Sequence, residues 1–151
     1  MDALDKKILT LVQVDASLTA EQIGGHVGLS ASSVQRRLHR LKEEGVIRGN
    51  VAVVAHEAVG RPFLLIVELK VENDREPEAT QFVQRLVNAP EVMQCYYVTG
   101  RADYVLIVTM KDMNEYEVFT QRLFIEAPNV VSFETSVVIK PLKMTLSVPV
   151  E

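Results

Sequence analysis

Between Ala31 and Lys42 the chain carries Arg36, Arg37, Arg40 and Lys42 and no acid. A cationic island of this kind has the chemistry of contact with phosphate. Guanidinium groups pair with phosphate oxygens or with the edge of guanine, the Gln35 amide matches adenine, and the hydroxyls of Ser32 and Ser33 suit phosphate. Helical spacing sorts these residues. Val34, Leu38 and Leu41 recur at i, i+4 and i+7, with Leu38 and Leu41 within about 40° of Val34 on a helical wheel. Ser32, Arg36 and His39 fall near the opposite side, and Ser33, Gln35 and Arg40 flank them. Arg37 projects nearer the buried edge, where it either braces the bundle or reaches phosphate. The plainer reading is a solvated charged face on a helical bundle, and the preceding residues decide between the two.

Those residues read as two more short helices. Asp2 can cap the first, with Leu4, Ile8, Leu11 and Val12 at helical spacing, and Asp15-Ala-Ser17 breaks it. Thr19 and Gln22 stand at capping-box spacing for the second, which buries Ile23 and Val27. Gly28 ends it, Leu29 points inward, and Ser30 can cap the cationic helix, which Gly45 stops. Val46-Ile47 begins an extended segment. A tight turn leading into a helix with one apolar and one cationic face is a helix-turn-helix, able to enter a major groove about 12 Å wide. The Gly24-Gly25 pair is an anomaly, since each glycine costs up to about 1 kcal/mol in a helix; close packing against the third helix would account for it. His39 is either a DNA contact or merely exposed. His26 is structural or near a phosphate, and His56 carries no chemistry.

A second set lies at Thr99-Gly100-Arg101-Ala102-Asp103, where backbone N–H groups, a hydroxyl and a carboxylate fall within five residues. Such a turn can hold an α-carboxylate on its amides while a carboxylate accepts an α-ammonium. It can equally be a tight hairpin with Asp103 as a turn residue. The elements around it have a different rhythm from the first part. Phe63 to Val71 is a strand, Ala79, Phe82, Val83 and Leu86 give a helix, and Val92 to Thr99 and Asp103 to Met110 are strands. Met113, Tyr116, Phe119 and Leu123 give a second helix, and Val130 to Ile139 is the last strand. The order βαββαβ is ferredoxin-like. Asn88-Ala-Pro-Glu-Val92 and Glu126-Ala-Pro-Asn-Val130 repeat one another at equivalent helix-to-strand junctions. Phe133, Thr135, Val137 and Ile139 share one strand face, a candidate dimer interface, and Glu134 and Ser136 point the other way. Tyr96 and Tyr97 face opposite sides. Glu72 to Glu78, broken by Arg75 and Pro77, reads as a solvated loop and helix start.

The expected architecture is therefore α+β. Residues 1–50 form a helix-turn-helix (winged-helix-like) DNA-binding domain, 51–62 a linker, and 63–151 a ferredoxin-like ligand-binding and oligomerisation domain. Two small domains in 151 residues each bury less surface than one large one, which favours an oligomer. A net charge of −4 excludes whole-surface binding to nucleic acid and leaves a local patch. The single cysteine, Cys95, excludes an internal disulfide framework and reads as a small buried hydrophobe. No apolar run is long enough for a membrane span, and the amphipathic N-terminus is no signal peptide. The expected location is cytoplasmic. No P-loop, dinucleotide fingerprint, metal-ligand spacing or catalytic set is present. Asp103 and Glu134 could pair as carboxylates but lack a nucleophile, so neither an enzyme nor a cofactor is expected.

The chain resembles the Lrp/AsnC (feast/famine) family of transcription regulators almost end to end. The likeness lies in Leu4-Asp-Lys-Lys-Ile-Leu9, Gly28-Leu-Ser30 with Ser33, Arg37-Leu-His-Arg-Leu41 with Gly45-Val-Ile47, Thr99-Gly-Arg-Ala-Asp-Tyr104, and Phe133-Glu-Thr-Ser-Val-Val-Ile139. The resemblance implies double-stranded DNA as partner and an amino acid or related metabolite as effector. It implies homodimers formed through the C-terminal sheets, often assembled to octamers. It also implies that the 99–104 turn forms part of an effector pocket between dimers. Asp103 would then take the ammonium, with Thr99, Gly100 and Tyr104 around it. Arg101 and Ala102 stand at variable positions and leave the ligand open. The alternative is a ligand-independent architectural DNA-binding protein of the same fold.

Overall fold

Asp2 opens the first helix, α1 (Ala3–Val14), and its side chain accepts the N–H groups of Leu4 and Asp5. Thr19 and Gln22 close a reciprocal capping box on α2 (Ala20–Val27). Gly28 then turns the chain at a φ of 73°, a left-handed conformation that glycine adopts without steric cost. Ser30 accepts the Ser33 N–H and starts α3 (Ala31–Glu43). Ile8, Ile23 and Val34, one from each helix, are wholly buried and form the centre of a small core.

The computed structural model describes residues 1–72 and 78–151. They fall into two compact units, Met1–Val53 with Leu142–Glu151, and Val54–Pro141. Leu142–Glu151 cluster with the first unit, where the Gln13 amide accepts the Val148 N–H at 2.7 Å and donates to the Val148 carbonyl at 3.2 Å.

The linker is also less free than expected, since its second half belongs to the second unit. A 3-10 turn, His56–Val59, ends at Gly60. Arg61 follows and clasps both the Glu115 carboxylate and the Thr109 hydroxyl and carbonyl. The strands are β1 (Phe63–Val71), β2 (Val92–Tyr97), β3 (Tyr104–Met110) and β4 (Val130–Val137), with α4 (Glu78–Val87) and α5 (Met113–Thr120) between them. The expected solvated loop before α4 lies, over residues 73–77, outside the described residues. The sheet order is β2-β3-β1-β4, antiparallel throughout, which is the ferredoxin-like arrangement.

One sheet face is covered. Leu65, Val67 and Leu69 of β1 and Leu106 and Val108 of β3 pack with Phe82 and Leu86 of α4 and Phe119 of α5. This face corrects the expected dimer surface. The Phe133 ring packs tilted against Phe124 with centroids 5.1 Å apart, and the Thr135 hydroxyl meets that of Tyr116, so these β4 residues point at the helices. Side chains alternate along a strand. The uncovered face therefore carries Ile66 and Glu68 from β1 and Glu134 and Ser136 from β4, with Glu68 directly opposite Glu134.

The two glycines of α2 differ. A Cβ on Gly24 would lie 2.3 Å from the Leu29 carbonyl oxygen, whereas one on Gly25 would meet nothing within 4 Å. The close partner is the turn, whose Gly28 and Leu29 N–H groups both donate to the Gly24 carbonyl, and not the third helix. Gly24→Ala should thus destabilise the first unit by about 1–3 kcal/mol as an overpacked contact. Gly25→Ala should stabilise it by up to about 1 kcal/mol. Urea unfolding followed by circular dichroism checks both signs.

Candidate nucleic-acid interface and effector turn

The apolar side of α3 is buried at Val34 and Leu41, and its outward side is open. Ser32, Gln35, Arg36, His39 and Arg40 are exposed. Gln35 and Arg36 make no hydrogen bond or ion pair among the described residues. Ser32 and Ser33 lie 3.2 and 3.0 Å from the Ser30 hydroxyl, so the cap also orients the two serines. His39 sits 3.2 Å from Glu43 on the helix surface.

Arg37 and Arg40 are held differently. Both reach Asp5, which has no exposed surface. The Arg37 Nη1 donates to Asp5 Oδ1 at 2.7 Å and to Asp2 Oδ2 at 2.7 Å. The Arg40 Nη2 donates to Asp5 Oδ2 at 2.6 Å, and that same oxygen accepts the Asp2 N–H at 2.8 Å. Arg37 thereby braces the motif, one of the two roles its position left open. Arg40, expected to be a free outward cation, is instead anchored on one side, although its side chain remains 47% exposed.

Asp5 escaped the sequence reading, which took Leu4, Ile8, Leu11 and Val12 as the inner stripe of α1. The buried set is Asp5, Ile8 and Leu9. A signal was present, because Asp2 and Asp5 stand at capping-box spacing and Asp5 shares the helix face of Ile8 and Leu9. Burial raises the Asp5 pKa. The Asp2 N–H, the Arg37 hydrogen bond and the Arg40 charge more than offset this and leave it below the ordinary carboxylate value. Asp2 falls to about 2, chiefly through the Asp5 N–H and then Arg37.

The turn between β2 and β3 is longer than a minimal hairpin, as the strands stop at Tyr97 and restart at Tyr104. Gly100 takes a φ of 126°. Thr99, Gly100 and Arg101 are exposed, whereas Ala102 and Tyr104 are core residues. The Tyr104 ring packs edge-on to Phe82 and tilted against Tyr97. Asp103 accepts the Val71 N–H at 2.9 Å and the Lys70 ammonium at 3.0 Å, and these two contacts, in that order, lower its pKa. Its own N–H and carbonyl bind Leu69 and Val98. Arg101 bridges the opposed Glu68 and Glu134 at 2.6 and 3.2 Å. A shallow pocket of about 180 Å³ lies here, lined by Glu68, Lys70, Arg101, Ala102, Ser132 and Glu134. Among the described residues no cluster of His, Cys, Asp and Glu could hold a metal ion.

Comparison with known proteins places this geometry. Residues 1–42 match the AsnC-type helix-turn-helix domain, and residues 64–148 match the Lrp/AsnC ligand binding domain. An HTH-type transcriptional regulator of Sinorhizobium fredii is 45% identical over 151 residues, covering 100% of this chain and 89% of its own length. An AsnC family transcriptional regulator from Agrobacterium tumefaciens superposes with a TM-score of 0.91 at 28% identity, covering 99% of this chain and 97% of its own. A transcriptional regulator of Neisseria meningitidis, in complex with L-Met, superposes with a TM-score of 0.92 at 29% identity, covering 99% and 96%.

The carboxylate cluster generates two expected outcomes. Asp5→Ala should cost about 3 kcal/mol, the lower end for breaking a buried ion pair, because both guanidiniums keep some access to water. Thermal unfolding measures it. The folded pKa of Asp2 and of Asp5 lies below the unfolded value, so their stabilisation is complete above about pH 5 and is lost as pH falls through the lowered values, about 2 for Asp2. An acid titration of helicity should therefore be less steep in Asp2→Asn than in the unmodified chain.

Proposed function

The chain belongs to the Lrp/AsnC family and is a transcriptional regulator of that type, and from this premise we propose that it recognises specific DNA sites under the control of an amino acid or related metabolite. The family consists of DNA-binding regulators, not enzymes. The observation that carries the reading is the outward face of α3. Gln35 and Arg36 stand exposed there, their side chains unpartnered among the described residues, while Arg37 is tied to Asp2 and Asp5 and serves the pose of the helix. Arg36 and Gln35 read bases. Ser32, Ser33, His39 and Arg40 line the path of the backbone. Residues 1–50 and the C-terminal tail constitute the DNA-binding unit.

Two copies joined through their sheets present two such helices to successive major grooves about 34 Å apart, hence a near-palindromic site. Partly exposed Ile66 and Tyr96, on the sheet side that no helix covers, support that mode of pairing. Larger assemblies up to octamers would bend DNA and read its deformability. The regulator acts in the cytoplasm; no helix among the described residues is long and apolar enough to cross a membrane.

The effector binds at the 99–104 turn. Arg101 and the backbone amides near Gly100 receive the carboxylate. Asp103 contributes its remaining lone pairs to the ammonium, since each carboxylate oxygen accepts more than one hydrogen bond. The effector shifts the population of assemblies through its differential affinity for them. The engagement of Asp103 by Lys70 and Val71 also favours a second reading, a ligand-blind architectural protein. Thermal shift with each amino acid separates the two, because a ligand that prefers the native assembly raises the melting temperature.

Gel shifts on genomic fragments, with and without each amino acid, test the whole reading. Arg36→Ala should weaken binding about tenfold or more, the scale of a lost charged hydrogen bond, with an unchanged melting temperature. Unaltered affinity at moderate salt would remove Arg36 from the interface. Asp103→Asn, which keeps an acceptor for the Val71 N–H, should retain effector-free DNA binding and lose the calorimetric response to amino acids.

A further inference from the structure

Arg40 holds a position that neither a free surface cation nor a buried structural arginine would hold. It lies one turn beyond Arg36, on the same side of α3, and at i+3 from Arg37, so it stands where the outward face meets the braced one. Its side chain is 47% exposed, against 19% for Arg37. Only Nη2 is committed, to Asp5 Oδ2 at 2.6 Å. The Nε lies 3.7 Å from Glu44 Oε1, too far for a hydrogen bond. Nη1 has no partner among the described residues. A guanidinium carries five N–H donors in a rigid fork, so one anchored edge leaves the other aimed and unused.

Asp5 does not depend on Arg40 for its own satisfaction. Its Oδ1 accepts from Arg37, its Oδ2 accepts the Asp2 N–H, and Arg37 supplies the compensating charge. The second guanidinium is thus surplus to the needs of the buried carboxylate. An unanchored arginine would lose several rotors on meeting a ligand, whereas this one has already lost them on folding.

We infer that Asp5 is a positioning residue for DNA recognition, holding the Arg40 guanidinium by its inner nitrogen so that the outer one meets a backbone phosphate in a single register. The inference rests on the proposed DNA-binding reading and adds the device that fixes it. Phosphate contacts carry no sequence information, but they set where a recognition helix sits along the duplex. A fixed Arg40 therefore determines which bases face Gln35 and Arg36, although neither Arg40 nor Asp5 touches a base. Asp5 meets no DNA itself and acts only through Arg40. Releasing Arg40 keeps a mobile cation on the surface, so general attraction to DNA persists while register is lost.

The test compares two probes, a genomic fragment retained by the unmodified protein and poly(dI-dC). Asp5→Asn should bind the fragment about tenfold more weakly, on the scale of one charged hydrogen bond, and poly(dI-dC) within about twofold of the unmodified protein. Arg40→Ala should weaken both, and adding Asp5→Asn to it should change the fragment affinity no further. Arg40→Lys keeps the charge but cannot span both partners. It should lose affinity selectively for the fragment, and it provides the same test should Asp5→Asn unfold. Equal losses on both probes for Asp5→Asn and Arg40→Lys, the mark of a purely structural role, overturn the inference. So does Arg40→Ala with both affinities intact. Failure of the underlying reading looks different, since the unmodified protein would then prefer no fragment over poly(dI-dC).

Discussion

A single carboxylate with no access to water sets the geometry of the DNA-binding unit. Asp5 stands at the start of α1, and a charge there is tolerable only if the neighbouring chain answers it. The answer comes from Arg37 of α3 and from the Asp2 N–H, and the same carboxylate also holds Arg40. The first helix and the recognition helix are therefore fixed to each other by directed bonds as well as by the packing of Ile8 against Ile23 and Val34. Apolar packing alone would allow α3 to slide or roll by fractions of an ångström. Three charge-assisted contacts on one buried atom pair do not, because each misalignment strands part of a charge.

The same arrangement divides α3 by role. Its inner side holds the small core, its edge is braced through Arg37, and its outer side leaves Gln35 and Arg36 exposed. Gly24 completes the motif from the other direction. Its missing side chain lets α2 touch the Leu29 carbonyl, and this closeness makes the turn tight. The second unit follows a different logic, in which one sheet face is filled by helices and the other carries Ile66, Glu68, Glu134 and Ser136. Arg101 is the link on that face, since it bridges two opposed glutamates and belongs to the turn that the effector reading invokes.

Much of this was legible in the sequence because it is local. Asp2, Thr19 and Ser30 announce three helix starts by capping chemistry, and Gly28 marks the turn. Period-2 runs alternating with helical spacing give the βαββαβ order. The outer face of α3 follows from the 3.6-residue period alone. What was not legible depends on contacts distant in sequence. Asp5 resembles any N-terminal acid until Arg37 and Arg40 are folded onto it, and Arg40 looks free for the same reason. The inward side of β4 could not be chosen from alternation, because Phe133 and Thr135 would suit either a helix layer or a second sheet. The burial of Tyr104 depends on ring contacts with Phe82 and Tyr97, which its place beside Asp103 does not announce. The tail's return to Gln13 has no signature, since an amide pairing with a backbone requires only proximity.

The most direct measurement of the central claim is the response of the arginine Nε–H resonances to duplex DNA. The account predicts that Arg36 and Arg40 signals shift in a salt-dependent way while Arg37, enclosed by Asp2 and Asp5, stays in place. Binding of duplex that perturbs Arg37 and leaves Arg36 unmoved would contradict it.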